Sequence, residues 1–166
     1  MSQYEYVKFK DWMEAVVFDP VGNIKQLHIG EDLITSAGKA EVAALLLADV
    51  ASDDFDYIAI GSGNTAASTG DTVLGEEVAV RGDSTGTRIT TSAPNDTAQL
   101  IYIFSSGNPS GLYGTSTGSQ AIEESGVFNN ASRATGDMLC RQTFGALNID
   151  WDGGDSLQIT WKIQVS

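Results

Sequence analysis

The sequence has one cysteine, one histidine and three prolines in 166 residues, and each scarcity excludes a class of protein. A single cysteine, Cys140, cannot form an intrachain disulfide or a multi-cysteine metal motif. A single histidine, His28, excludes most histidine-based metal sites and acid–base arrangements. Basic residues are also scarce, since nine Lys and Arg stand against 22 Asp and Glu and give a formal net charge of −13. Because such a surface repels phosphate and anionic lipid, we expect no nucleic-acid or membrane partner.

Long apolar runs are missing as well. The N-terminus has no charged-then-apolar signal pattern, and the densest apolar stretch, 42–48, is far too short to cross a bilayer. We therefore expect synthesis in a cytoplasm. With 42% apolar residues, a chain of this length can bury a core without a metal or disulfide. We predict a single domain over residues 11–166, preceded at 1–10 by an arm or an edge strand.

Hydrophobic patterning indicates a mainly β protein. Residues 12–29 read as a hairpin around Asp19-Pro20-Val21-Gly22-Asn23, and an Ala/Leu-rich run predicts one helix near residues 36–50. Further strands are expected at 57–60, 85–91, 98–105, 126–129, 138–149 and 157–165, with a possible helical turn at 74–78 and a long loop from 105 to 122. Strands at this spacing without alternating helices predict an antiparallel β-sandwich, jelly-roll or Ig-like, with one flanking helix.

The last strand carries the clearest pattern. Its residues alternate strictly between apolar and polar from Leu157 to Ser166, which predicts one core face and one solvated face.

Two short motifs resemble catalytic or nucleotide-binding signatures. Residues 82–86 match G-x-S-x-G around Ser84, but a β-prone segment follows the serine and the only histidine lies upstream. Residues 61–66 match G-x-G-x-x-A, but the helix start that a dinucleotide site requires is missing. We interpret both as glycine-rich turns.

Acidic turns are the remaining candidates for chemistry. Asp150, Asp152 and Asp155 surround a Gly pair and could offer oxygen ligands to a calcium ion, as could the acidic run 53–56. The D-W-D-G-G-D order departs from the EF-hand pattern, and solvated turns are the alternative.

His28 is expected on an alternating strand and Cys140 in the core. In each of the pairs Glu76-Glu77 and Glu123-Glu124, the two side chains would point to opposite faces of a strand. We expect no catalytic residue, no organic cofactor and no enzyme activity.

Three segments in order carry a resemblance. They are DPVGN (19–23) followed by DLITSAG (32–38) and the helix, YIAIGSG (57–63) followed by DTVLGEEV (71–78), and ESGVFNNAS (124–132) followed by MLCRQTF (138–144) and GDSLQITW (154–161). This order resembles small β-sandwich structural proteins of tailed bacteriophages and related archaeal viruses, of head-decoration, fibre-base, connector or tail type. The resemblance implies a virion component that assembles as a homo-oligomer and contacts a major capsid, connector or tail protein. It implies no active site.

The N-terminal segment alternates aromatic or apolar residues with charged ones. Tyr4, Tyr6 and Phe9 are therefore candidate assembly contacts, either on an arm that pairs with a neighbouring subunit or on a strand of the chain's own sheet. The alternative function is a carbohydrate- or cation-dependent binding module on a fibre or particle surface. Its contact edge would be formed by 105–120 and 150–155.

Overall fold

Two antiparallel five-stranded sheets pack into a β-sandwich in the computed structural model, which describes residues 7–47, 53–106 and 118–166. Sheet A has the strand order β2-β1-β10-β7-β6, and sheet B has the order β3-β9-β8-β4-β5. The elements of these residues are β1 Phe9–Phe18, β2 Ile24–Glu31, β3 Leu33–Ile34, α1 Ser36–Leu47, β4 Tyr57–Gly61, β5 Gly82–Asp83, β6 Thr85–Ile89, β7 Thr97–Ser105, β8 Ser119–Phe128, β9 Met138–Asp150 and β10 Ser156–Val165. The predicted β-sandwich with one flanking helix is confirmed.

The first hairpin closes at an aspartate-stabilised turn. Asp19 Oδ1 accepts the backbone N–H groups of Val21 (3.0 Å) and Asn23 (2.8 Å), and Gly22 adopts a positive φ of 91°. β1 begins at Phe9, so it is longer at its N-terminal end than the hairpin expected from residue 12. After β2, Asp32 links sheet A to β3 of sheet B.

Helix α1 packs against β9 of sheet B. Thr35 caps it, since its Oγ1 accepts the Gly38 N–H at 2.9 Å while its own hydroxyl donates to the Met138 carbonyl. A Cβ at Gly38 would lie 2.4 Å from the Leu139 carbonyl oxygen, so this close approach requires glycine. Leu46 and Leu47 are mostly exposed. The part of the predicted helix beyond Leu47, residues 48–50, lies outside the described residues.

β10 forms the centre of sheet A. It pairs with β1 on one side and β7 on the other, and Leu157, Ile159 and Trp161 are fully buried between the sheets. The prediction that its other face is solvated holds only in part. Gln158 and Lys162 are partly exposed, whereas Thr160 and Gln164 are only 6% exposed, because a central strand is covered by the side chains of both neighbours.

Two local predictions also fail. Residues 74–78 form a bend and an isolated bridge rather than a helical turn, because Val78 N–H donates to the Ile60 carbonyl and Glu77 bridges to Gly61 of β4. The predicted loop 105–122 is too long at its C-terminal end, since β8 starts at Ser119 and pairs with β9. Residues 107–117 lie outside the described residues. In the described ranges, no helix is long and apolar enough to span a bilayer.

Candidate functional site

The outer face of sheet A carries a group of aliphatic side chains. In the antiparallel register, Leu27, Val16, Gln158 and Ile103 lie in one row across four strands, and directly opposite residues point to the same side of a sheet. Leu27, Ile29 and Ile103 are 53%, 60% and 49% exposed. These residues cover no core, since Met13, Ala15 and Val17 of the neighbouring strand point to the interior.

Charge on this face differs from charge on the chain as a whole. The strand register places four charged side chains there, two of each sign: Lys10, Glu14, Glu31 and Lys162. The whole chain carries −13. The outer face of sheet A is therefore nearly neutral, and the surplus acid lies elsewhere.

The predicted N-terminal contacts are only partly described. Phe9 pairs with Val165 of β10, and the backbones of Lys8 and Ser166 exchange two hydrogen bonds of 2.6 and 2.8 Å. Residues 8–10 therefore run along the chain's own sheet. Phe9 is 36% exposed. Tyr4 and Tyr6 lie outside the described residues, so their role as assembly contacts stays a prediction.

Hydrogen bonds and an ion pair of the acidic turn 150–155 stabilise the connection between β9 and β10. Asp155 is buried, and its Oδ2 accepts Lys25 Nζ at 2.5 Å and the Asp150 N–H at 2.9 Å. Asp150 Oδ1 accepts the Gly153 N–H at 3.0 Å, and Asp152 is exposed. These bonds engage two of the three candidate carboxylates within the turn itself, and calcium binding there stays a prediction.

The loop that matches G-x-G-x-x-A contributes one N–H group, from Gly63, to a site that holds an anion, and the anion is a side chain of the protein. Glu124 Oε1 accepts the N–H groups of Gly63 (3.0 Å) and Glu76 (2.7 Å), and Oε2 accepts the N–H of Gly75 (3.0 Å). Arg141 donates to the same Oε2 from Nε (2.9 Å) and Nη2 (2.7 Å), and from Nη1 to Asp71 at 2.6 Å. Glu124 is fully buried and Arg141 is 3% exposed. The loop is thus a structural carboxylate site.

The other motif residues also make structural contacts. Ser84 lies between β5 and β6, and its hydroxyl donates to the Asp56 carbonyl at 2.6 Å. Glu77 forms a buried ion pair with Arg81 at 3.0 Å.

His28 stacks on Phe144 with 5.1 Å between ring centroids, and burial lowers its pKa. Asp53, Asp54 and Asp56 line a surface pocket of about 310 Å³, where burial and the Asp54 charge raise the pKa of Asp56.

Three side chains that no sequence pattern brought together, Asp11, Asp32 and Cys140, form a group that we call the Asp–Cys cluster. One donor atom from each side chain lies within 4.8 Å of the other two. Asp11 points inward from β1, Asp32 lies in the link between the sheets, and Cys140 is fully buried on β9. Burial raises the pKa of Asp11 from 3.8 to about 6. The Glu31 charge adds to this effect, while a backbone hydrogen bond and Lys39 oppose it.

The raised pKa of Asp11 predicts a pH-dependent cost. A carboxyl that holds its proton more tightly in the folded state contributes most stability below pH 3.8 and loses it as the pH rises through about 6. In metal-free buffer, the free energy of unfolding of Asp11→Asn is compared with that of the parent at each pH. Relative to the parent, we expect the variant to gain about 2–3 kcal/mol between pH 3.5 and pH 8. Urea unfolding at both pH values measures this shift. Asp152→Asn, which removes an exposed carboxylate, is the control, and an equal shift in both variants would show that burial of Asp11 is not the cause.

Comparisons with models of known protein families, with curated proteins and with solved structures find no match.

An apolar pocket of about 340 Å³ lies between α1 and sheet A, with Ile34, Val42 and Leu139 on one side and Ile163 on the other.

Proposed function

We propose that this chain is a non-enzymatic structural component of a tailed virus particle, and that copies of it assemble through the outer face of sheet A. The observation that carries the proposal is the group of half-exposed aliphatic side chains on that face, Leu27, Ile29 and Ile103. Leu27 and Ile29 are neighbours on β2, and Ile103 lies on the same face beyond Val16 and Gln158. Exposed apolar groups on one regular face are typical of interaction surfaces. The resemblance of the three sequence segments to virion proteins supports the virion context and the expected neighbours, a major capsid, connector or tail protein.

The charge distribution favours a second copy as the occupant. Two chains of charge −13 repel each other, and the repulsion is smallest where the approaching surfaces are neutral. The outer face of sheet A meets that condition, with two lysines and two glutamates. In a twofold contact, each lysine can face a glutamate of the other copy, because both copies present the same surface.

Strand β2 adds a second means of association. It is an edge strand of sheet A, so one side of its backbone lacks a neighbouring strand among the described residues. Such an edge accepts a strand from another chain by main-chain hydrogen bonding. Leu27 and Ile29 lie on this same strand.

Replacing both residues by lysine tests the surface. Burial of two half-exposed aliphatic side chains contributes about 2 kcal/mol, so we expect Leu27→Lys/Ile29→Lys to weaken self-association at least about 30-fold. Light scattering after size-exclusion chromatography, over a concentration series, measures it. Val21→Lys is the matched control, since Val21 is 83% exposed in the hairpin turn and lies off this face. A parent protein that stays monomeric, or equal effects of both changes, would contradict the proposal.

A further inference from the structure

The Asp–Cys cluster joins the two sheets at one end of the sandwich. Asp11 comes from β1 of sheet A and Cys140 from β9 of sheet B, while Asp32 occupies the single link residue between β2 and β3. Leu33 and Ile34, which follow Asp32, pair with Arg141 and Cys140. This pairing fixes the backbone of the link beside β9, so the three side chains converge because of the sheet crossing and not because of sequence proximity.

The cluster contains more acceptor oxygens than donors. Asp11 Oδ2 and both carboxylate oxygens of Asp32 are buried atoms that have no hydrogen-bond partner among the described residues. Asp11 as a whole is 9% exposed. Buried carboxylate oxygens in folded proteins are almost always bonded to a donor, because burying a charge without compensation is costly. Three such oxygens beside a thiol indicate that a positively charged group belongs among them.

A fourth oxygen nearby shows the same deficit. Gln142 follows Cys140 by two residues on β9 and is 6% exposed. Its Nε2 donates to the backbone oxygen of Glu31, the residue before Asp32, at 2.9 Å. Its Oε1 is buried without a partner among the described residues. Buried oxygens without a hydrogen-bond partner are therefore found both in the cluster and on the next inward-facing residue of β9.

We propose that Asp11, Asp32 and Cys140 bind a divalent transition-metal ion of the zinc class. A thiolate with two carboxylates is a soft-and-hard donor set that favours zinc and disfavours calcium and magnesium, which take oxygen ligands only. Tetrahedral zinc with bonds of about 2.0–2.3 Å places its ligand atoms about 3.3–3.8 Å apart. The three donor atoms lie within 4.8 Å of one another, so binding requires them to close by about 1 Å or more.

The Cys140 thiol gives up its proton to solvent on coordination, so that two carboxylates and one thiolate face a doubly charged ion and the occupied site carries one net negative charge. The fourth position can be taken by water. Ions can enter through a surface pocket of about 530 Å³ lined by Asp11, Asp32 and Lys39.

A bound ion would hold β1, the link and β9 together. It would therefore stabilise the sandwich by mass action, with no role in catalysis. The proposal is independent of the assembly function, since the cluster lies on the inner side of sheet A and the aliphatic group lies on its outer face.

Metal titration of the full chain tests the site. After treatment with a chelator, we expect one equivalent of Zn²⁺ to bind, and the melting temperature to rise by about 5–10 °C when free zinc is 100-fold above its dissociation constant. Cobalt should give a thiolate-to-metal charge-transfer absorption in the near ultraviolet. Cys140→Ser should abolish that band and weaken zinc binding about 100-fold or more. Asp32→Asn should weaken binding while retaining the native circular dichroism spectrum.

Asp152→Asn is the control, since it removes an exposed carboxylate outside the cluster and should leave zinc binding unchanged. Two results would overturn the proposal. They are the absence of zinc binding between pH 6 and 8, and zinc binding that neither Cys140→Ser nor Asp32→Asn weakens.

Discussion

Replacing Glu124 by alanine is expected to lower the free energy of unfolding by about 4 kcal/mol or more. The change leaves the Arg141 guanidinium, which is 3% exposed, with only Asp71 and the Thr65 carbonyl as acceptors. It also removes the acceptor for the N–H groups of Gly63, Gly75 and Glu76. Breaking a buried ion pair on one side costs about 3–5 kcal/mol, and unsatisfied buried N–H groups add to that. Urea denaturation followed by tryptophan fluorescence measures the loss.

The neighbouring glutamate provides the control. Glu123→Ala should change stability by less than about 1 kcal/mol, because the residue is partly exposed and lies beside the ion pair rather than in it. A double-mutant cycle with Arg141→Met should show a coupling energy of about 2–3 kcal/mol between Glu124 and Arg141. Additive effects of the two single changes would show that the pair does not act as a unit.

Ending the chain at Asp155 is expected to abolish cooperative folding. The deletion removes β10, which pairs with both β1 and β7 and so leaves the centre of sheet A empty. It also removes Leu157, Ile159, Trp161 and Ile163 from the core. Full burial of four such side chains contributes about 6–12 kcal/mol, a sum comparable with the whole net stability of an ordinary domain.

A shorter truncation distinguishes the effect of deleting β10 on folding from the effect of merely shortening the C-terminus. A chain that ends at Gln164 keeps the four core side chains and lacks only Val165, which is 48% exposed, and Ser166. It should retain a single cooperative thermal transition at a somewhat lower temperature. If the chain ending at Asp155 also unfolds cooperatively, β10 is not the central element of the fold.

The fold was largely predictable because local signals agreed with the long-range structure. The Asp19–Asn23 turn, the Ala/Leu-rich run of α1 and the alternation in β10 each have one dominant physical cause: turn chemistry, helix propensity or burial on one face. Residues 74–78 were mistaken for a helical turn because their path depends on hydrogen bonds to β4, which no local pattern reports. The solvated face expected for β10 is only partly exposed for a related reason, since a strand's place in the sheet order is a long-range property.

The candidate sites were less predictable. Asp11, Asp32 and Cys140 lie far apart in sequence and meet only where the chain crosses between sheets. One signal could have been found, because Asp11 occupies the inward position that Met13, Ala15 and Val17 repeat along β1. Likewise the glycine motif at 61–66 was interpreted as a turn, and its spacing does not reveal that Gly63 joins Gly75 and Glu76 in donating N–H groups to Glu124. Leu27 and Ile29 were expected on a strand, and their exposure depends on which face that strand presents.

Quantitative mass spectrometry of purified particles of the tailed virus in which we propose this chain assembles tests the proposed function most directly. We expect the chain at a fixed ratio to the major capsid protein, with a copy number that is a multiple of a closed rotational symmetry. We also expect Leu27→Lys/Ile29→Lys to be reduced or lost from the particles, whereas Val21→Lys should be incorporated at the parent ratio. Particles that form normally and contain none of this chain would contradict the account.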